Sequence, residues 1–320
     1  MRIGFQKCIL LILVSISPLM TTLVLPTKAE AVQATFLYKL SSITGPFMIA
    51  GGGMFVDKER NEVYIVYQNI TWVFNKNGLE IYRFNEDNSL GRLSSLSVDQ
   101  DGTIFFLSYD DRGAYVIIQC NYRGEQTGRI EVTGLPTDFS GFENFSPTHM
   151  EYRQGQFYLA DARTLRIAVA DMNGKVQKTY DLMPLLKLKE KNRRDYELGG
   201  FSVDKEGNML FTVPVLFSAT ILSPDGKVTN FGQAGDVAGK FGIVAGIIKD
   251  NKGNYLVADK LHSVVTMFDK NTQFLIELGG RGNEPSSLIT PEGIAVDGSD
   301  KLYVTQAGNR GVSVFRLIYN

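Results

Sequence analysis

Imidazoles, thiols and converging carboxylates are the groups that most often hold metals or move protons, and this 320-residue chain has few of the first two: His149, His262, Cys8 and Cys120. A catalytic zinc takes three protein ligands, commonly histidines, so this supply is poor. No cysteines stand at Cys-x-x-Cys spacing, which excludes haem attachment, a zinc ribbon or an iron–sulfur cluster held by cysteine. Gly51-Gly52-Gly53 precedes a strand pattern, whereas a phosphate-binding glycine loop follows a strand and opens a helix. Its expected role is to let the backbone enter a crowded place. Asn69-Ile-Thr71 and Asn144-Phe-Ser146 fit glycosylation acceptors, which matter only in a eukaryotic secretory host. With 33 basic and 34 acidic side chains, bulk charge excludes a nucleic-acid binder driven by phosphate attraction. A hydrophobic content of 44% is enough for a sizeable core rather than a disordered chain.

The elements that must position these groups are legible as a repeat. Gly53-Met-Phe-Val-Asp57 followed by Asn61-Glu-Val-Tyr-Ile65 returns as Ser95-Leu-Ser-Val-Asp99 with Gly102-Thr-Ile-Phe-Phe106, and the phrase recurs with its aspartate position at Tyr152, Asp204, Asp250 and Asp297. The period is roughly 48 residues, in the range of blade-like repeats. Each unit reads as an apolar strand, an Asp-x-x-Gly or Asp-x-x-Asn turn, a second and a third strand, another turn such as Ala170-Asp-Met-Asn-Gly174, and a short alternating run. Four antiparallel strands repeated six times predict an all-β, six-bladed β-propeller. The last unit stops after its third strand, Val312 to Phe315, and Thr35-Phe-Leu-Tyr-Lys-Leu40 resembles the fourth strand Gln273 to Leu278. The N-terminal strand is therefore expected to complete the last blade and close the ring.

Ahead of that strand, Arg2 and Lys7 precede an apolar run from Cys8 to Leu25, and Ala29 and Ala31 present an A-x-A site. This is the pattern of an export signal spanning 1–31, with a single domain over 32–320. Cleavage is expected after Ala31, with Ala29 and Ala34 as alternatives. An uncleaved anchor is the competing reading, because the apolar run approaches the ~18 residues that span a bilayer. The mature chain would be periplasmic or extracellular, with no membrane span. Cys120, the thiol that would remain, lies in an apolar strand pattern and is expected to be buried.

At Pro291-Glu-Gly-Ile-Ala-Val-Asp297, Asn309-Arg310 before Val312-Ser-Val-Phe315, Gly253-Asn-Tyr-Leu-Val-Ala-Asp259, and Tyr158-Leu-Ala-Asp161 with Arg166-Ile-Ala-Val169, the chain resembles the NHL-repeat family of propellers. Two departures stand out: Tyr152 replaces the first aspartate of the third unit, and Thr305 is read as replacing the second-strand aspartate of the sixth. The resemblance implies fold rather than activity. Related propellers include lactonases with channel calcium and a peptide-amidating lyase with zinc, so a metal-dependent hydrolase or lyase is the alternative function.

A channel site would need polar groups converging at the starts of the innermost strands. Those positions hold Gly52, Ser94, Pro147, Gly199, Ala245 and Glu292, followed by Gly53, Ser95, Thr148, Gly200, Gly246 and Gly293. Glu292 is their single carboxylate, whereas calcium takes six to eight oxygens. No cofactor or metal is expected, and Glu292 is read as a solvated residue or a lone ligand. His149 is expected to be an interior histidine and His262 a loop-tip contact. Two inter-blade connections are longer than the rest, and long propeller loops commonly carry binding. Leu135 to Pro147 carries Phe139, Phe142 and Phe145. Leu182 to Glu197 reads as a short amphipathic helix with Lys187, Lys189, Lys191, Arg193 and Arg194. Exposed aromatics beside arginine have the composition of interface anchors, so the preferred expectation is a non-catalytic scaffold that binds an envelope or extracellular protein through this rim. Carbohydrate binding on the aromatic rings is a further option.

Overall fold

The structure is a computed structural model that describes residues 32–47, 53–139, 145–308 and 310–320. Residues 1–31, expected to be an export signal, and Gly51, Gly52, Phe142, Asn144 and Asn309 lie outside the described residues. Six four-stranded antiparallel sheets follow one another along the chain. Blade one runs Met54–Asp57, Glu62–Tyr67, Ile70–Phe74 and Glu80–Phe84, and blade two Arg92–Val98, Ile104–Tyr109, Tyr115–Cys120 and Gln126–Ile130. Blade three is built of His149–Arg153, Gln156–Asp161, Arg166–Asp171 and Val176–Asp181, and blade four of Gly200–Val203, Met209–Val213, Ser218–Leu222 and Val228–Phe231. Blade five comprises Val244–Lys249, Tyr255–Asp259, Val264–Phe268 and Phe274–Gly279. Blade six takes Pro291–Val296, Lys301–Gln306 and Val312–Tyr319 from the end of the chain and Val32–Lys39 from the beginning.

The middle strands read as continuous apolar runs because both faces of each sheet are buried. In blade six, Leu302 and Val304 pack toward blade five with Leu256 and Val265, while Tyr303 between them packs toward blade one with Val63 and Ile65. Each of the other blade pairs shares a core of the same kind, so the apolar contact runs around a closed ring.

Turn chemistry sets the inner hairpins. Asp204 Oδ1 accepts from the backbone N–H of Glu206 and Asn208, Asp250 Oδ1 from Lys252 and Asn254, and Asp297 Oδ1 from Ser299 and Lys301. This is the Asx geometry that makes aspartate useful at a turn. Blade three dispenses with it: Arg153 pairs directly with Gln156, Gln154 adopts a left-handed φ of 50°, and Tyr152 is left to fill the core. Cys120 is fully buried, and burial pushes its thiol up to about 12.

Closure follows the expected register. Val32 pairs with Tyr319, Thr35 with Arg316 and Lys39 with Ser313, with a bulge between Phe36 and Tyr38. Leu40 is buried beside Phe47, and Phe36 stacks edge-on against Phe315 with centroids 5.7 Å apart. Deleting residues 35–40 strips blade six of its outer strand and exposes Phe315 and Leu317. Burial at about 1.5–3 kcal/mol per large apolar side chain predicts a loss of at least ~3 kcal/mol. A denaturant midpoint equal to that of the intact chain would show that the seam contributes nothing.

Candidate functional site

The starts of the inner strands are small because the strands touch. A Cβ on Gly200 would lie 2.6 Å from the Ala245 carbonyl oxygen, and one on Gly246 would lie 2.5 Å from that of Glu292. Hydrogen bonds stitch the same ring. Ser95 Oγ donates to the Met150 carbonyl and accepts from its N–H, both at 3.2 Å, and Ser202 Oγ donates to Ile247 O at 2.7 Å. The ring of glycine and serine that the sequence presents is thus a packing device between neighbouring blades.

A second ring holds the connecting loops. Asp259, fully buried at the end of its strand, accepts from Gly242 N at 2.6 Å and Ile243 N at 3.2 Å in the segment entering blade five, and from Leu261 N and His262 N in its own turn, both at 3.0 Å. Asp161 does the same in blade three, from Ser146 N, Arg163 N and Thr164 N. In blade six this post belongs to Gln306 rather than to Thr305. Gln306 Oε1 accepts from Ile289 N at 2.8 Å, while Thr305 Oγ1 accepts from Gly293 N at 2.7 Å. The sequence reading was one residue out of register, because the sixth unit lacks the glycine that marks the turn. These carboxylates tie the loops down and are spent in doing so.

The sequence-nominated residues fall into two groups. Phe139 and Phe145 are buried, with ring centroids 5.6 Å apart in the core between blades two and three. They plug the rim and are no exposed patch, which corrects the aromatic half of the interface expectation; the same burial removes these two rings from carbohydrate stacking. The second insertion is not one amphipathic helix. Leu182–Leu185 makes a single α turn capped by Asp181, and Glu190–Asp195 makes a 3-10 turn. Lys187 breaks the helix with a left-handed φ of 57°. Leu182 and Met183 are buried and Leu185, Leu186 and Leu188 lie against the same core, which turns Lys187, Lys189 and Lys191 outward.

Arg193 is buried, 6% exposed at its side chain, and is a strut rather than a contact residue. Nη2 donates to Asp181 Oδ2 at 2.6 Å and to Glu190 Oε2 at 2.8 Å, Nε donates to Glu190 Oε1 at 2.6 Å, and Nη1 donates to the Thr164 carbonyl. Burial alone would lower its pKa, but the bonds to Glu190 and Asp181 outweigh it and raise the value above normal. Arg166 lies 3.7 Å from Asp181 and 5.0 Å over the Phe139 ring, so it links the two insertions. Arg194 stays on the exposed side of the turn. Glu292 is neither solvated alone nor converging with other acids: its Oε1 accepts from Lys260 Nζ at 2.9 Å. Among the described residues no three His, Cys, Asp or Glu side chains cluster as a metal site would require.

His149 lies against Phe201 with its Nδ1 2.9 Å from Thr148 Oγ1, and burial pushes its pKa down to about 4. The opposite mouth of the channel holds charges that sequence reasoning passed over. Lys58 Nζ donates to Asn251 Oδ1 at 2.9 Å, joining blades one and five, and Asn251 Nδ2 donates to Asp297 O at 2.7 Å. Burial and nearby Arg153 lower the Lys58 pKa, and burial raises that of Glu151 against the pull of Arg153 and Lys58. A signal existed: Lys58, Arg153 and Asn251 all directly follow the repeat's aspartate position.

The chain is a six-bladed β-propeller in which Arg193 and Glu292 are paired within the fold while Lys187 and Lys189 face outward. It matches no protein-family model and no curated protein. Among solved structures, a structural genomics protein of unknown function from Bacteroides thetaiotaomicron VPI-5482 is similar at a TM-score of 0.63 and 14% identity, over 90% of this chain and 76% of that one. Virginiamycin B lyase from Staphylococcus aureus is similar at 0.53 and 14% identity, over 89% and 88%. A catalytically inactive form of that lyase with Quinupristin gives 0.58 at 13% identity, over 90% and 100%. At such identities the likeness is one of fold.

Two outcomes follow. Arg193→Ala leaves Asp181 and Glu190 without their shared partner; since both are partly solvated, the expected cost is about 1–3 kcal/mol in urea unfolding, and an unchanged midpoint would remove the strut. His149 is about 4 when folded against an ordinary ~6.5 unfolded, so its contribution is intact above about pH 6.5 and is lost as pH falls toward about 4, on the order of 3 kcal/mol in all. Replacing His149 with Gln should flatten that part of the stability–pH curve.

Proposed function

We propose that this protein is an exported, non-catalytic β-propeller of NHL-repeat type that binds another envelope or extracellular protein through the rim face carrying its two long insertions. One observation carries the reading. The groups that the sequence offers for chemistry on that face already serve the fold, with Glu292 taken by Lys260 and Arg193 by Asp181 and Glu190, while Lys187, Lys189 and Lys191 project outward from a segment pinned by its leucines. A pinned loop presents charges at low entropic cost, which favours recognition. The complementary partner is an acidic protein surface. The signal of residues 1–31, with cleavage after Ala31, gives the route to the periplasm or exterior. Among the described residues no helix is long and apolar enough to cross a membrane.

The reading is tested by elemental mass spectrometry of the purified chain after dialysis without chelator. Stoichiometric calcium or zinc would move the assignment to a propeller hydrolase or lyase with Glu292 among its ligands, the class to which the lyase neighbours belong by name. In a parallel crosslinking experiment with an envelope fraction, reversing Lys187, Lys189 and Lys191 to Glu should weaken capture of a specific partner severalfold. Equal capture would remove the basic insertion as the contact.

A further inference from the structure

Blade five and the segment entering it form an open cleft of about 510 Å³ lined by Asp236, Val237, Leu261, His262, Glu277 and Arg281 among others. His262 Nδ1 lies 3.0 Å from Asp259 Oδ2. That carboxylate is fully buried and accepts from four backbone N–H groups, so it acts as an acceptor for the Nδ1–H of the ring. In the neutral tautomer this arrangement selects, Nε2 is the lone-pair acceptor. It is covered from solvent and has no hydrogen-bond partner among the described residues. Asp236 Oδ1 stands 3.7 Å from it, on a side chain that is fully exposed. The covered Nε2 is left with an unmet demand, and a donor about 2.9 Å from both it and Asp236 Oδ1 would satisfy it.

Charge and shape narrow the donor. Asp236 and Glu277 are acidic, while the cation Arg281 is engaged through Nη2 with the Leu261 carbonyl at 2.8 Å. Glu277 Oε1 accepts from Gly239 N at 2.8 Å, which fixes the position of its charge. Val237 and Leu261 are 68% and 45% exposed and offer hydrocarbon beside the polar floor. We propose that this cleft binds an alkylammonium group, a protonated primary amine on a short apolar body, with the charged nitrogen between His262 Nε2 and Asp236. The amine is either a free small molecule or a lysine side chain of a bound peptide, since both present the same chemistry.

The full chain labelled with ¹⁵N-histidine tests this, because only two imidazoles contribute. The titration is run at about pH 8, where an alkylammonium stays charged. Titrating n-butylamine is expected to move the Nε2 resonance of His262 saturably while His149 stays in place; loss of the moving signal in His262→Gln confirms its origin. N-acetyl-lysine methylamide in a second titration separates the sources: a response to it includes peptide lysine, and silence restricts the site to free amines. Asp236→Asn should weaken n-butylamine by about two- to fivefold, as befits an exposed ionic partner. No response to either amine overturns the proposal. So do butyrate or 1-butanol binding as tightly as n-butylamine, and an Asp236→Asn variant with unchanged affinity.

Discussion

Every blade of this protein carries two apolar faces, and no single sheet can bury both. That constraint governs the rest. A four-stranded sheet with Leu302 and Val304 on one side and Tyr303 on the other is satisfied only between two neighbours, so the series of sheets must return on itself. The ring in turn sets how close the inner strands come, which is why Gly200 and Gly246 meet backbone carbonyls where any Cβ would collide. Packing at the axis and closure at the seam are one requirement expressed at two radii.

The same requirement explains the fate of the polar residues. Once the inner strands are pressed together, the loops entering them need anchoring, and the buried ends of the second strands supply it through Asp161, Asp259 and Gln306. A carboxylate that accepts several backbone N–H groups is held in place, and those lone pairs are committed. Arg193 acts likewise on the long insertion, drawing Asp181, Glu190 and the Thr164 carbonyl to one guanidinium. Rigid loops and spent acids suit a surface that is recognised. His262 differs, since Asp259 orients its ring and leaves the far nitrogen unused.

The fold was legible because turns and alternation are local. Asp204, Asp250 and Asp297 announce their hairpins by needing an oxygen to cap the turn, and Phe36, Tyr38 and Leu40 announce the closing strand by their spacing. The rim was less legible, since burial there depends on partners far away in sequence. Nothing near Phe139 shows that Arg166 will cover it, and nothing near Arg193 reveals that the Thr164 carbonyl, 29 residues earlier, will accept its hydrogen bond. The helix expected from Leu182 stops for a local reason, the left-handed backbone at Lys187. The shift from Thr305 to Gln306 arose where Asp300, at a left-handed φ of 61°, stands in for the usual glycine.

The pairing of Val32 with Tyr319 has a mechanical meaning. Val32 and Tyr319 lie at one corner of the ring, at the ends of adjacent antiparallel strands. Tension between them would load the first backbone bonds of the seam one after another, as a zip is opened, rather than shear the strand as a block. Resistance to such a pull is low per step, so the propeller would yield at blade six first. The Lys58 to Asn251 bond bridges the two blades flanking that seam, and would still span the gap after the outer strand had peeled away.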